Sequence, residues 1–298
     1  MEYNEREAGM GEYLYYRPPD LQELLRVKSR LGRQGILLAG GTNVMVYVKD
    51  GTISAGTLVD IASLPELKGV RQQNGCIEIG AGEVMADLLE NPLLQSRLPV
   101  FVSMLRCFAN PLVRNRATLG GNLADASPIG DSIPVLLTLG ARMRVAGDGG
   151  ERTVSLEQFF SGPGENTLQP EELIRTVEVP LPESGRGSFQ KLGLRKGSSC
   201  SVVSVAVWLV AEGGKVREIA IACGGVAPTP LRARRAEKAF RGQPLEPERV
   251  RALAEEVQPD IRPISDVRGS AEYRRRVTAA LLARAVRQAA GLEEGERP

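Results

Sequence analysis

The stretch from Ala117 to Gly140, ATLGGNLADASPIGDSIPVLLTLG, constrains the fold more than any other part of the chain. It reads as a tight glycine turn, a polar loop, and a helix that starts at Asp131 or Ser132 and stops at Gly140. Gly120 and Gly121 lack a Cβ, so the backbone there can take positive φ and bring its N–H groups close to a ligand, a geometry that suits a pyrophosphate. Asp131 can cap the helix or accept from a ribose hydroxyl, Pro134 is tolerated in a first helical turn, and Gly140 stands where a helix end favours glycine. Taken alone, the stretch fits an ordinary strand-turn-helix corner equally well. A second glycine pair follows the apolar run Ile36-Leu37-Leu38, which predicts a buried strand feeding Ala39-Gly40-Gly41-Thr42-Asn43, another candidate phosphate cradle.

Residue usage removes whole chemistries. The 298 residues include no histidine, which excludes Ser-His-Asp and Cys-His catalysis, the usual zinc sites and histidine proton shuttles. Cys76, Cys107, Cys200 and Cys223 lie far apart with no Cys-x-x-Cys pair. They therefore encode neither an iron–sulfur cluster nor a zinc ribbon and are expected to be reduced and mostly buried. No metal ligand and no catalytic acid or base is predicted. Lys plus Arg number 38 against 36 Asp plus Glu, a balance that gives no general attraction to nucleic acid or anionic lipid. The first residues are polar and acidic where a signal peptide would be basic and then apolar, and no segment is long and apolar enough to span a bilayer. A cytoplasmic protein without membrane contact is expected.

The length allows two domains, each with its own core. Residues Met1 to Gly11 read as a loose tail and Tyr13 to Tyr16 as a short strand closed by Pro18 and Pro19. Asp20 caps a helix that carries Leu21, Leu24, Leu25 and Leu31. A strand at Leu58 to Ile61, a hairpin from Val70 to Gly80, and helices near Val84 to Leu89 and Leu98 to Ala109 follow. After the opening stretch come strands around Met143 to Val145 and Thr153 to Val154, a short helix at Leu156 to Phe160, and a strand from Leu173 to Val179. The polar, glycine-rich Glu183 to Gly187 predicts a linker, which divides the chain into domains at 12–182 and 187–290. Beyond it, Val202 to Val210 and Val216 to Cys223 predict an antiparallel hairpin, with Trp208 in the core. Helices are expected at Leu231 to Phe240, Pro247 to Val257 and Tyr273 to Ala290. Arg274, Arg275 and Arg276 read as a solvated or partner-facing surface, and Gly291 to Pro298 as a frayed tail. The class is α+β.

The two glycine segments together resemble the flavin-binding subunit of the molybdenum hydroxylases, the family of xanthine dehydrogenase and carbon monoxide dehydrogenase. The resemblance rests on the apolar run into Ala39-Gly40-Gly41-Thr42 and on Ala117-Thr118-Leu119-Gly120-Gly121-Asn122-Leu123 followed by Ala126-Ser127-Pro128 and Asp131. Leu173-Ile174, Val177 to Pro180, Lys191, Arg195 and the segment Asp266 to Arg274 also carry it, and it extends from about Tyr13 to Ala290. It implies a two-subdomain FAD-binding domain of the vanillyl-alcohol-oxidase type, followed by a smaller α+β domain. By that resemblance Leu37, Leu38, Ala39, Gly40, Gly41, Thr42, Asn43 and Val44 wrap the FAD pyrophosphate, and Thr118, Leu119, Gly120, Gly121 and Asn122 grip it from the other side. Asp131 holds a ribose or adenine-side group, Ile174 lines the adenine end, Lys191 sits near the flavin, and Phe108 places an aromatic face against the isoalloxazine. The chain departs from the family at Ser199-Cys200, where many members have acidic and aliphatic residues, and it lacks the cysteine insertion of members with a cluster in this domain.

The implied function is electron transfer from a separate iron–sulfur subunit, through FAD, to an acceptor such as NAD+, with substrate hydroxylation on a molybdenum cofactor subunit. Transfer between stacked rings needs no acid–base side chain, so the lack of histidine is compatible. Two alternatives share the fold: a stand-alone flavin reductase of cell-wall precursor synthesis, and a docking subunit without cofactor.

Overall fold

The computed structural model describes residues 13–195 and 197–292. The expected N-terminal tail, and the C-terminal tail beyond Leu292, lie outside the described residues. Four sheets and the helices between them make an α+β architecture, as expected. The first sheet is parallel, with Gly56–Asp60 between Tyr13–Tyr16 and Gly35–Leu38. Parallel neighbours need crossover connections, and the helices Leu21–Leu31 and Val44–Lys49 lie in them. Asp20 starts the first of these helices by accepting the Glu23 N–H at 2.8 Å, the cap its sequence predicts. The central strand buries Val59 completely. By contrast, Ile36, Leu37 and Leu38 are only half-buried, because their strand forms an edge of a small sheet and is not the interior strand expected.

The second sheet is antiparallel, in the order Val70–Gln73, Cys76–Gly80, Leu173–Pro180, Arg142–Gly147, Gly150–Ser155. Both predicted hairpins are present. The helices Met85–Glu90, Pro99–Cys107 and Ser132–Thr138 join this sheet in one core that includes Met85, Phe101, Leu105, Val135, Met143 and Val177.

The third sheet runs Arg186–Gly193, Ser201–Glu212, Lys215–Gly224, Leu231–Arg232, all antiparallel. Side chains of a strand alternate between faces, and here the two faces serve different cores. Val203, Val205, Val207 and Leu209 pack with Leu282 and Val286 of the long helix Ala271–Ala289, whereas Ala206 and Phe189 join the core of the second sheet. That double burial explains the nearly unbroken apolar run VVSVAVWLV, and it brings the C-terminal sheet against the N-terminal part of the molecule. Trp208 packs on the edge of the shared core and is half-buried rather than enclosed.

Three further expectations need correction. Leu231 and Arg232 do not begin a helix; they close the third sheet as a short strand, and the helix is Arg234–Phe240. Arg274 is not at the surface. It is 2% exposed, and its guanidinium donates to the carbonyls of Val202 (2.9 Å) and Gly225 (2.7 Å) and to Asp266 Oδ1 (2.7 Å). The cysteines divide evenly, Cys76 and Cys223 being buried and Cys107 and Cys200 exposed. Among the described residues no helix is long and apolar enough to cross a membrane.

Candidate functional site

The first glycine segment leaves the edge strand at Leu38 and turns into the helix Val44–Lys49. Gly41 has φ +74°, a conformation that disfavours any residue with a Cβ. Among the described residues no protein group accepts the N–H of Gly40, Gly41, Thr42 or Asn43, while Met45 and Tyr47 resume the helical pattern by donating to Gly41 and Asn43. Four successive main-chain donors are thus open in one turn, the arrangement that receives phosphate oxygens. Gly40 is also a point of close approach, since a Cβ there would lie 1.8 Å from the carbonyl oxygen of Arg116. The first segment is therefore pressed directly on the residues that lead into the second.

The second segment does not form the positive-φ turn expected. Gly120 and Gly121 lie in the first turn of a short helix, Leu119–Ala124, which Thr118 caps by accepting the Gly121 N–H at 3.1 Å. Its donors are already used: Leu119 N–H donates to Glu83, Gly120 to Ala81, and Asn122 to Thr118. Glycine is required at 120 for packing, because a Cβ would come within 2.6 Å of Ala81 Cβ and 2.8 Å of its carbonyl oxygen. The expected helix downstream is Ser132–Thr138, and Gly140 (φ +67°) follows its end.

Asp131 precedes that helix yet makes no side-chain cap bond. Its carboxylate instead accepts from Lys191 Nζ and Ser201 Oγ, each at 2.5 Å, and Lys191 also donates to the carbonyl of Cys107 at 3.2 Å. Burial pushes the Asp131 carboxyl up from its usual range, against the pull of the Lys191 ammonium. Each carboxylate oxygen accepts one bond within the protein, so the carboxylate anchors Lys191 and keeps further acceptor positions in the cleft that Asp131 lines.

The two segments face one cleft of 580 Å³, within the usual size range for ligand sites. Its walls include Leu37 and Ala39 to Val44 from the first segment and Thr118, Gly120, Gly121 and Asn122 from the second, with Phe108, Asp131 and Ile174. Phe108 and Ile174 are 8% and 5% exposed, so each shows the cleft one edge of a packed side chain. Leu38, Leu119 and Lys191, also predicted, do not line it. Leu119 is wholly buried in the core, while Lys191 reaches the site through Asp131.

Other contributors were not foreseen. Tyr47 donates to Asp125 at 2.8 Å, joining the helix after the first segment to the end of the second. Burial, reinforced by that carboxylate, pushes its phenol up to about 12. Asn110 Nδ2 donates to Ser198 Oγ at 2.8 Å, and Ser198, Ser199 and Cys200 close one end of the cleft. No local spacing announces these pairs, because their members are 78 and 88 residues apart. Open main-chain donors on one wall, with the apolar surfaces of Phe108, Val113 and Ile129 on others, fit a ligand that joins a diphosphate to a flat ring system.

Comparison with known proteins agrees with this geometry. Residues 7–182 match the family described as FAD binding domain in molybdopterin dehydrogenase, and residues 188–289 match the CO dehydrogenase flavoprotein C-terminal domain. The carbon monoxide dehydrogenase medium chain of Hydrogenophaga pseudoflava is 32% identical over 92% of this chain and 96% of that one. The glyceraldehyde dehydrogenase medium chain of Sulfolobus acidocaldarius is 32% identical over 94% and 99%. Among solved structures, a carbon monoxide dehydrogenase from Hydrogenophaga pseudoflava lacking the Mo-pyranopterin moiety of its molybdenum cofactor contains a chain that superposes with a TM-score of 0.90. That match covers 94% of this chain and 98% of the other, at 32% identity.

Proposed function

The chain belongs to the FAD-binding subunits of the molybdenum hydroxylase family, and from that membership we propose that it carries electrons from an iron–sulfur partner subunit to an acceptor, NAD+ being the one expected. FAD is its cofactor, and when bound it supplies reversible two-electron chemistry that can also be divided into single electrons. The hydroxylated substrate belongs to a molybdenum-bearing partner. The observation that carries this reading is the meeting of both glycine segments across one cleft, with the N–H groups of Gly40 to Asn43 open toward a ligand.

In this reading those four N–H groups hold the diphosphate. Thr118 to Asn122 form the opposing wall, more by close packing than by donated hydrogen bonds. Phe108 lies against the isoalloxazine, and Ile174 lies at the adenine end. Asp131 holds Lys191 beside Cys107, near the flavin, and receives a ribose or adenine-side group at its remaining acceptor positions. The test is to purify the full chain, measure bound FAD, and mix it with the iron–sulfur and molybdenum subunits. Stoichiometric FAD that is reduced by the complex's substrate only when the partners are present is the expected result. A colourless chain that takes up no FAD, or one reduced by substrate with no partner, would overturn the proposal.

A further inference from the structure

Acidic and basic residues nearly balance over the whole chain, yet two long segments contain no Asp or Glu at all: residues 91–124 and residues 184–211. The fold brings them together at one end of the cleft. Asn110 bonds Ser198, Lys191 bonds the carbonyl of Cys107, and Gly187 packs so closely on Val100 that a Cβ would lie 2.6 Å from it. Arg106, Arg114 and Arg195 stand at that end: Arg106 and Arg114 lie within electrostatic reach of Cys107, Arg114 donates to the carbonyl of Phe108, and Arg195 donates to that of Ser198. None of the three has a carboxylate partner among the described residues; Arg114 and Arg195 donate only to main-chain carbonyls. Elsewhere arginines are commonly paired, as Arg142, Arg152, Arg175, Arg232 and Arg234 are. Leu112, two residues before Arg114, and Leu194, next to Arg195, are 81% and 67% exposed.

We propose that this rim, with Leu112 and Leu194 as apolar anchors and Arg106, Arg114 and Arg195 beside them, is the docking surface for an acidic face of the electron-donating partner subunit. Exposed leucines ringed by unpaired cations suit a protein surface whose centre is apolar and whose edge is anionic. A small dinucleotide would use the charges but leave the leucines in water. Asp131, a carboxylate within electrostatic reach of Cys107 at this end, is buried and taken by Lys191, so it does not cancel the field. The proposal rests on the electron-transfer reading above.

The test uses the full chain, loaded with FAD, carrying Arg106→Glu and Arg195→Glu together. Association with the iron–sulfur and molybdenum subunits is measured by calorimetry at low and at high salt. Weakening of about tenfold or more at low salt, narrowing at high salt, is expected, with unchanged FAD content and unchanged KM for NADH in dye reduction. The corresponding Arg→Lys double variant, which keeps the charge, retains association. Undiminished association of the glutamate variant refutes the surface, and so does a raised KM for NADH with association intact, which assigns the arginines to the dinucleotide. If the unmodified chain itself fails to associate, the electron-transfer reading fails instead.

Discussion

In the turn after Leu38 a glycine pair leaves four N–H groups without acceptors, while after Thr118 a pair of the same composition uses its N–H groups inside the protein. The sequences Ala-Gly-Gly-Thr-Asn and Thr-Leu-Gly-Gly-Asn look like two copies of one device. They are two different consequences of a missing side chain. At Gly41 the absent Cβ permits a left-handed dihedral and an open backbone, whereas at Gly120 it permits an ordinary helical turn to lie on the backbone of Ala81. Gly40 resembles Gly120 in this respect, its backbone lying directly against the Arg116 carbonyl. The first segment therefore supplies donors, and the second supplies position.

This contrast can be broken most directly at Gly40. In Gly40→Val the new Cβ would overlap the Arg116 carbonyl at 1.8 Å, a collision of Cβ with backbone that no rotamer relieves. We expect loss of FAD retention, measured as the ratio of flavin absorbance to protein, together with a lowered apo melting temperature. A folded Gly40→Val protein with stoichiometric FAD would show that the loop does not define the site. Gly120→Val should act in a different proportion. Its Cβ meets Ala81 at 2.6 to 2.8 Å and strains the Gly120 N–H bond to the Ala81 carbonyl, an overpacking cost of about 1–3 kcal/mol. Denaturant unfolding of the apo chain should register that loss, and the folded fraction should still bind FAD. A Gly120→Val chain with full stability and no FAD would reverse the division of labour between the two segments.

A smaller effect sharpens the same point. Thr118→Ala removes the cap on Leu119–Ala124 and should cost about 1 kcal/mol of apo stability. FAD affinity, followed by fluorescence quenching, should change less than threefold, a factor of about 0.6 kcal/mol, because the open donors lie on the other wall. An affinity loss larger than the stability loss would mean that the second segment contacts the ligand through the groups this helix orders.

Much of this was legible in the sequence, and what was not has physical causes. Caps, hairpins and breaks are local, so Asp20, the turn before Lys215 and the strand from Leu173 could be read directly. The conformation of Gly120 could not, because glycine permits both the turn and the helix, and the partner that decides between them, Ala81, is 39 residues away. Arg274 misled for a related reason. Three successive arginines suggest a solvated face, but one of every three or four positions on a helix points inward, and the carbonyls of Val202 and Gly225 that receive this one lie on other elements. The cleft's composition followed from the two glycine segments and Phe108. Its closure by Tyr47 with Asp125 and by Asn110 with Ser198 depended on contacts that only the folded chain makes.

The bond from Tyr47 to Asp125 is the direct tie between the two regions, and its pH dependence offers the finest test of how firmly they are joined. Tyr47→Phe deletes one hydrogen bond to a half-buried carboxylate, a loss of about 1 kcal/mol in apo stability. The phenol is held protonated by burial and by Asp125, its ionisation raised from 10 to about 12 in the folded chain. An acid whose folded value is raised favours folding while it stays protonated, so its contribution is complete below the unfolded value near 10 and is lost as pH rises through 12. The stability gap between the unmodified chain and Tyr47→Phe, measured by urea unfolding, should therefore be constant from pH 7 to just below 10 and shrink between 10 and 12. A gap that already closes near neutral pH would place the phenol in water, and the helix after the first segment would then be free to move away from the second.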